Sequence, residues 1–404
     1  MRRVLLISQF FYPENFKSTD IAFELSKEGF EVDVLTSIPN YPKGEYYKGY
    51  GIFKNRIQNI NNTKIYRSFQ INRGNGKSNI RLSLNYISFA IFSSIWVLFF
   101  LVFKKYDSII VHQTTPITQT LPALVYNFFR KTSIYIWVLD LWPEAFLSGS
   151  GKKEGAIYNV LHWYTKIVYK KSTKILVSSK AFTQSILEKG NYEHKIVYFP
   201  NWSIDFKDLS LESNIPELPE GFIIMFAGNI GVSQDVESIL NLALQFKFDN
   251  RVKFVVIGDG SKKKWLEEQI ELSGLSNIVY TLGQYPLEYM PSFYKKADAM
   301  LLTLSGKFND LSLYMPAKLQ SYMSSGKPIL AMINGPSYDL INEANCGYAV
   351  ESGEYLKMAE IIKRVILPNE ESFAELGNNG RKYYEGYFTK DKCIDNLINI
   401  ITNN

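Results

Sequence analysis

Short apolar runs alternate with longer amphipathic stretches along almost the whole chain. Arg3–Ser8 is apolar and of strand length, Thr19–Lys27 has apolar positions at helical spacing and stops at Gly29, and Glu31–Leu35 is apolar again. This is one strand–helix–strand unit, and its recurrence predicts a parallel sheet covered by helices. Further strands are predicted at Lys64–Arg67, Ser108–Val111, Ser133–Leu139, Lys174–Val177 and Lys195–Tyr198, closing a first half near Pro200. Asn201–Gly221 carries proline, serine and acidic residues without periodicity and reads as a linker. A second series then begins, with strands at Phe222–Phe226, Lys253–Ile257, Ile278–Leu282, Ala299–Thr303, Ile329–Met332 and Gly347–Val350. A chain of 404 residues is too long for one ordinary core. The expected fold class is α/β, with two Rossmann-like, doubly wound parallel-sheet domains (residues 1–200 and 221–384) facing a central cleft.

One segment breaks the alternation. Tyr86–Phe103 is eighteen residues without a charge, flanked by Arg81, Lys104 and Lys105. It reaches the length that spans a bilayer, but crossing would separate strands of one sheet. It reads instead as a helix buried under the sheet or as an apolar face at a membrane interface, with the basic flanks favouring the second.

The remaining totals narrow the function. Apolar residues at 46% and charged residues at 21% predict a folded protein throughout. The net charge of +6 is spread over many segments, which argues against nucleic acid and suits an anionic membrane surface or a phosphorylated substrate. Cys346, Cys393 and three histidines have neither metal-ligand spacing nor a disulfide framework, so no metal or other cofactor is expected and a reducing cytoplasm is. The run Met1–Ser8 reads as the first strand rather than a signal peptide.

In open parallel sheets, ligands gather at the carboxyl ends of strands. In the first half those positions hold Gln9–Asn15, with Tyr12, Glu14 and Asn15, ahead of Ser18 and Thr19 at an expected helix cap able to receive an anion. They also hold the proline-stiffened loop Ile38–Gly44 with Asn40 and Tyr41, then His112 directly after its strand, and Asp140 ahead of Trp142 and Pro143. Either His112 or Asp140 could hold or deprotonate a sugar hydroxyl. The plain alternatives are a capped helix, a rigid surface loop and a structural histidine. In the second half, Gly228, Asn229 and Gly231 lead into a helix near Gln234, and Gly258-Asp259-Gly260 repeats the arrangement at the next strand end; both suit backbone approach to a phosphate. Tyr285 follows a third strand beside amides that suit a nucleobase edge. Leu313–Met323 contains Pro316 for a helix start, Ser321, and Lys318, whose full charge would add to helix-end dipoles facing a diphosphate.

Five stretches in this order and spacing resemble the family 4 retaining glycosyltransferases of the GT-B fold, in the branch of bacterial fucosamine transferases of surface-polysaccharide assembly. They are Phe11–Phe16, Pro39–Gly44, Asp140–Glu144, Phe226–Gly231 and Pro316–Met323. The resemblance implies a last helix, about Lys390–Ile401 within 385–404, that crosses back onto the first domain. It implies an acceptor site in the first domain (Tyr12, Glu14, Asn15, Asn40, Tyr41, Trp142) and a nucleotide-sugar site in the second. Three features depart from the family pattern. Leu313 and Ser321 stand where two glutamates are usual, Asn229 and Gln234 stand near the places of a phosphate-pairing arginine and lysine, and paired glycines are replaced around Lys17 and Ser18. Lys318 is the residue able to take over the phosphate role.

The implied reaction is metal-independent transfer, with retention, from a UDP-sugar, an N-acetylated deoxyhexosamine among the candidates, to a polyprenyl-diphosphate-linked glycan at the inner face of the cytoplasmic membrane. His112, Asp140 and Lys318 are the catalytic candidates. The alternatives are a nucleotide-sugar epimerase or hydrolase of the same fold, and a non-catalytic nucleotide-sugar-binding partner.

Overall fold

The computed structural model describes residues 1–74, 76, 78–150, 155–206, 214–307 and 311–403. Residues 207–213 of the expected linker lie outside them. The chain divides into a unit of Met1–Phe199 with Ile394–Asn404 and a unit of Pro200–Cys393.

The first unit contains β1 (Arg3–Ile7), β2 (Glu31–Ser37), β3 (Ile57–Ile60), β4 (Thr63–Ser68), β5 (Ser108–Gln113), β6 (Ser133–Val138), β7 (Lys174–Val177) and β8 (Ile196–Tyr198). They lie in the order β3-β4-β2-β1-β5-β6-β7-β8, parallel except for the β3–β4 pair. The second unit contains β9 (Phe222–Ala227), β10 (Val252–Ile257), β11 (Val279–Gly283), β12 (Ala299–Thr303), β13 (Ile329–Met332) and β14 (Gly347–Val350), all parallel in the order β11-β10-β9-β12-β13-β14. In each sheet the chain starts near the middle and reverses its direction of winding, at β1/β5 and at β9/β12. Those are the points where loops diverge and leave a crevice.

Both sheets are covered on two faces, which is why their strands are continuously apolar rather than alternating. In β9, Phe222, Ile224 and Phe226 join one core while Ile223, Met225 and Ala227 join the other. The observed strands agree with the sequence pattern except for β3. Its residues, Ile57–Ile60, form a partly exposed edge paired antiparallel to β4 through Asn61 and Asn62, both left-handed. An Asn-Asn pair between two short apolar runs is the hairpin signal that pattern reading passed over.

The charge-free segment lies in one long helix, Asn79–Trp96, which continues through a wider π turn to Leu101. It is neither wholly buried nor wholly free. Asn85, Ser88, Phe89, Ser93 and Ser94 face inward, whereas Ile80, Leu84, Ile87, Ile91 and Ile95 face solvent. The last helix, Lys390–Thr402, passes from the second unit into the first at Ile394, and Arg2 Nη1 donates to Ile401 O at 3.2 Å.

The first sheet is pinned by a fully buried Arg67 on β4. Its guanidinium donates to Tyr12 O (2.7 Å), Ser37 O (3.4 Å) and Gln58 Oε1 (3.3 Å) and lies 4.9 Å from the Tyr50 ring. Burial lowers its pKa to about 10. Arg67→Met keeps the stem but orphans those carbonyls. It is expected to destabilise the first unit by about 2–3 kcal/mol, read as a lower denaturant midpoint at unchanged slope; an unchanged midpoint would show that Arg67 does not pin the sheet.

Candidate functional site

In the second unit the carboxyl ends of β9 and β10 meet at backbone distance. A Cβ on Gly258 would sit 1.8 Å from Gly228 O, and both residues have positive φ (+144° and +141°). Only glycine fits there without moving a loop. The loops are then tied by Gly228 N to Ile257 O (2.9 Å), Gly258 N to Gly283 O (2.8 Å) and Ile230 N to Asp259 O (2.8 Å). These bonds occupy three of the amides that the sequence offered to a phosphate. Among the described residues, the N–H groups of Asn229 and Gly231 make no hydrogen bond and remain for a ligand.

A cavity of about 550 Å³ opens at this junction, and Gly228, Asn229, Gly258, Asp259, Gly260 and Tyr285 all line it. Sequence reasoning did not single out Met290 and Tyr294, which close its apolar end; they lie on a helix, Met290–Lys296, whose pattern reads only as core. Tyr322 lies within the Pro316–Met323 stretch. Its buried hydroxyl donates to Ala227 O and accepts from Ala227 N, both at 3.0 Å, and so fixes the end of β9.

Lys318 stands directly behind this loop. Its stem passes 2.9 Å from where a Gly228 Cβ would be, its ammonium lies 4.1 Å from the Phe226 ring centroid, and it donates to Gln234 Oε1. Burial without a carboxylate partner lowers its pKa to about 7. An anion arriving at the Gly228–Gly231 loop would restore the full charge. Gln234 ends a 3-10 turn, Val232–Gln234, and the α-helix proper is Val236–Leu244. Pro316 caps the helix Ala317–Ser325 instead of lying within it. Ser321 Oγ is engaged with Ser203 Oγ at 2.7 Å.

The first unit has a different character. Glu14 is buried, and its carboxylate accepts from Asn40 N and Tyr41 N (both 2.7 Å) and Phe11 N (3.3 Å). Burial raises its pKa to about 7 against the pull of those amides and Arg67. Asn40 is also buried, accepting from Arg73 N at 3.2 Å. Both residues brace the loops after β1 and β2, leaving Tyr12, Asn15 and Tyr41 exposed above them. Ser18 and Thr19, expected as a cap, lie inside the helix Lys17–Lys27, which Phe16 precedes; Thr19 Oγ1 instead accepts from Tyr12 N at 3.0 Å.

His112 is not past its strand but within β5, because the strand runs two residues further than its apolar run. The ring is buried, edge-on to Trp137 at 5.3 Å, with Nδ1 3.3 Å from Ser8 Oγ. Burial first, and Lys17 second, lower its pKa to about 3, so it is neutral. Among the described residues its Nε2 has no partner, and nor do Trp142 Nε1, Gln9 Oε1 and Gln113 Oε1, all buried at the carboxyl ends of these strands. Asp140 is half-buried, its pKa raised by burial against hydrogen bonds from Thr115. Among the described residues no three His, Cys, Asp or Glu side chains group as metal ligands.

Two parallel-sheet α/β units, the second with glycine loops over a cavity at the carboxyl ends of β9, β10 and β11, have the architecture of the GT-B glycosyltransferases, and residues 211–383 match the family described as glycosyl transferases group 1. The chain is 27% identical over 270 residues to the Pseudomonas aeruginosa protein named as the glycosyltransferase WbjE, a match spanning 62% of this chain and 65% of that one. It is 26% identical over 398 residues, 93% of each chain, to WcaI of Escherichia coli (strain K12), named as a colanic acid biosynthesis glycosyl transferase. Among solved structures, Anabaena HepE in complex with UDP superposes with a TM-score of 0.69 over 100% of both chains at 14% identity, which establishes the fold.

Gly258→Ala tests the loop junction. Overlap with Gly228 O together with an unfavourable φ is expected to cost about 2–4 kcal/mol. The thermal midpoint should then fall by about 5–10 °C; an unchanged midpoint would show that the two loops do not touch.

Proposed function

We propose that this protein is a retaining glycosyltransferase that moves a sugar from a UDP-sugar to a polyprenyl-diphosphate-linked glycan in surface-polysaccharide assembly. The observation that carries the reading is the second-unit cavity, walled by the Gly228 and Gly258 loops, with Lys318 behind the first of them. The names of WbjE and WcaI support the reaction class, the colanic acid biosynthesis in WcaI's name supports the pathway, and the UDP in HepE supports the donor nucleotide. The resemblance to fucosamine transferases points to an N-acetylated deoxyhexosamine as the sugar moved.

In this reading the second unit holds the donor and the first, with the C-terminal helix, holds the acceptor. The nucleobase meets Tyr285 and the apolar end of the cavity, and the diphosphate meets the amides of Asn229 and Gly231. The bond between the anomeric carbon and the diphosphate oxygen breaks, and the acceptor oxygen takes its place on the same face. Charge builds on the departing diphosphate, so fixed amides and a recharged Lys318 lower the barrier without a metal ion. His112, being neutral, would serve by hydrogen bonding through Nε2 rather than as a cation, and Asp140 is the first-unit carboxylate available to an acceptor hydroxyl. The enzyme would work at the inner face of the cytoplasmic membrane, where a lipid-linked acceptor is exposed.

Two outcomes follow for Lys318. Lys318→Ala is expected to lower acceptor-dependent UDP release on the order of 10²-fold, the effect of removing one charge-stabilising donor, while the melting profile is retained; unchanged kinetics would take Lys318 out of the site. The second outcome is a pH dependence. Lys318 titrates near pH 7 when free and must be protonated against the diphosphate, so UDP affinity is full below pH 7 and falls above it, by up to about tenfold per pH unit. Calorimetric titration from pH 6.5 to 9 checks this, and Lys318→Met should bind weakly and without that slope. The same slope in Lys318→Met would assign the titration to another group.

A further inference from the structure

The helix Asn79–Leu101 is apolar on both sides: Phe89, Val97 and Leu101 are buried together with hydrogen-bonding side chains, and a second set of apolar side chains points outward. Asn85 donates to Ile71 O at 2.5 Å, Ser88 Oγ accepts from Ile71 N at 3.0 Å, and Ser94 Oγ donates to Ala90 O at 2.7 Å. The outward face carries isoleucine and leucine and ends on Phe99, Phe100 and Phe103, exposed by 67%, 57% and 74%. A helix at an ordinary protein surface carries polar side chains on its outer face.

A second helix enlarges the patch. Leu121–Arg130 packs beside the first, and Arg130 Nε donates to Val102 O, so the two helices meet at their carboxyl ends. There Phe128 and Phe129 are also exposed, by 72% and 55%. A third helix, Ala156–Lys171, is linked to Thr120 through Tyr164 at 2.9 Å and exposes Ile157, Val160 and Trp163. The five exposed phenylalanines on the two packed helices, with further apolar side chains on the third, exceed the scattered exposure of an ordinary soluble surface.

Charge identifies the occupant. None of the three helices contains Asp or Glu, and Lys105, Arg130 and Lys131 stand at the phenylalanine-bearing ends of the first two, while Lys104 is turned to Asp33. Residues 46–139 hold twelve Lys and Arg against the single Asp107, a net +11 where the whole chain carries +6. The cations are about as dense here as elsewhere; the positive excess arises because acidic residues are all but absent from this part of the first unit. Aromatic and aliphatic side chains ringed by cations, without acids, complement an anionic lipid surface; a second copy of the chain would bring its own cations against them.

We infer that these three helices form a bilayer-docking face, which lies flat on the leaflet with the five phenylalanines at the depth of the acyl–headgroup boundary and Lys105, Arg130 and Lys131 among anionic headgroups. The helix Asn79–Leu101 does not span the membrane, because its inner face is committed to the sheet between β4 and β5. This deepens the membrane side of the proposed function but does not depend on sugar transfer.

The test is vesicle flotation of the full chain without any sugar donor, so a failure of docking and a failure of transfer are read separately. The native protein should float with phosphatidylcholine vesicles containing phosphatidylglycerol, float less with phosphatidylcholine alone, and be released progressively by salt. K105Q/K131Q should weaken partition onto the anionic vesicles by about 25-fold, or about fivefold per cation, and leave the residual binding to neutral vesicles unchanged. F99Q/F103Q should weaken both. All these side chains are exposed, and matching circular dichroism and melting curves will confirm that the variants are folded. Native protein that stays unbound with both vesicle types, or folded variants that float as the native protein does, would overturn the inference. So would a solution dimer abolished by F99Q/F103Q in a protein that does not float.

Discussion

The candidate site in the second unit depends on two strand ends being allowed to touch. Gly228 and Gly258 bring the backbones after β9 and β10 within the space of a missing Cβ, and two amide–carbonyl bonds close the junction while a third ties Gly258 to the end of β11. Much of the site follows from that contact. The two loops curl over one cavity, the amides of Asn229 and Gly231 are left unspent, and Lys318 can lie across Gly228 because no side chain stands in its way. Tyr322 then fixes Ala227 from behind, so the loop leaves a rigid strand at a set angle.

The partly desolvated ammonium is the counterpart of that rigid cradle. A lysine held over an aromatic ring, with an amide oxygen as its one hydrogen-bond partner among the described residues, is poised between its charged and neutral forms. It can respond to an incoming anion instead of being cancelled by a carboxylate in advance. The glutamates usual at this place in the family are Leu313 and Ser321 here, and Ser321 bonds Ser203. The proposed site thus relies on backbone dipoles and one recoverable charge, a combination suited to an anionic leaving group.

Much of this was legible in the sequence, and what was missed has physical causes. Buried parallel strands are continuously apolar, so β7, β12, β13 and β14 could be placed to the residue. Strand β3 was invisible because it is short and half exposed. His112 was read as a loop residue because β5 keeps pairing through His112 and Gln113, polar positions that periodicity reads as a strand end. Glu14 and Asn40 looked like exposed acceptor residues because charge and polarity suggest solvent, yet both are buried braces, satisfied by backbone amides or carbonyls. A sequence shows which groups lie at strand ends but not whether their hydrogen bonds turn inward. The two readings of the helix Asn79–Leu101, buried or interfacial, are inseparable in sequence for the converse reason, since its serines are satisfied locally and can face the core while its isoleucines face out.

The most direct test of the account is a structure of the chain crystallised with UDP. The account predicts the diphosphate against the Asn229 and Gly231 amides, the Lys318 ammonium turned from Gln234 toward it, and the uracil between Tyr285 and the Gly258–Gly260 loop. Nucleotide bound elsewhere, or bound there with Lys318 still held by Gln234, would contradict it.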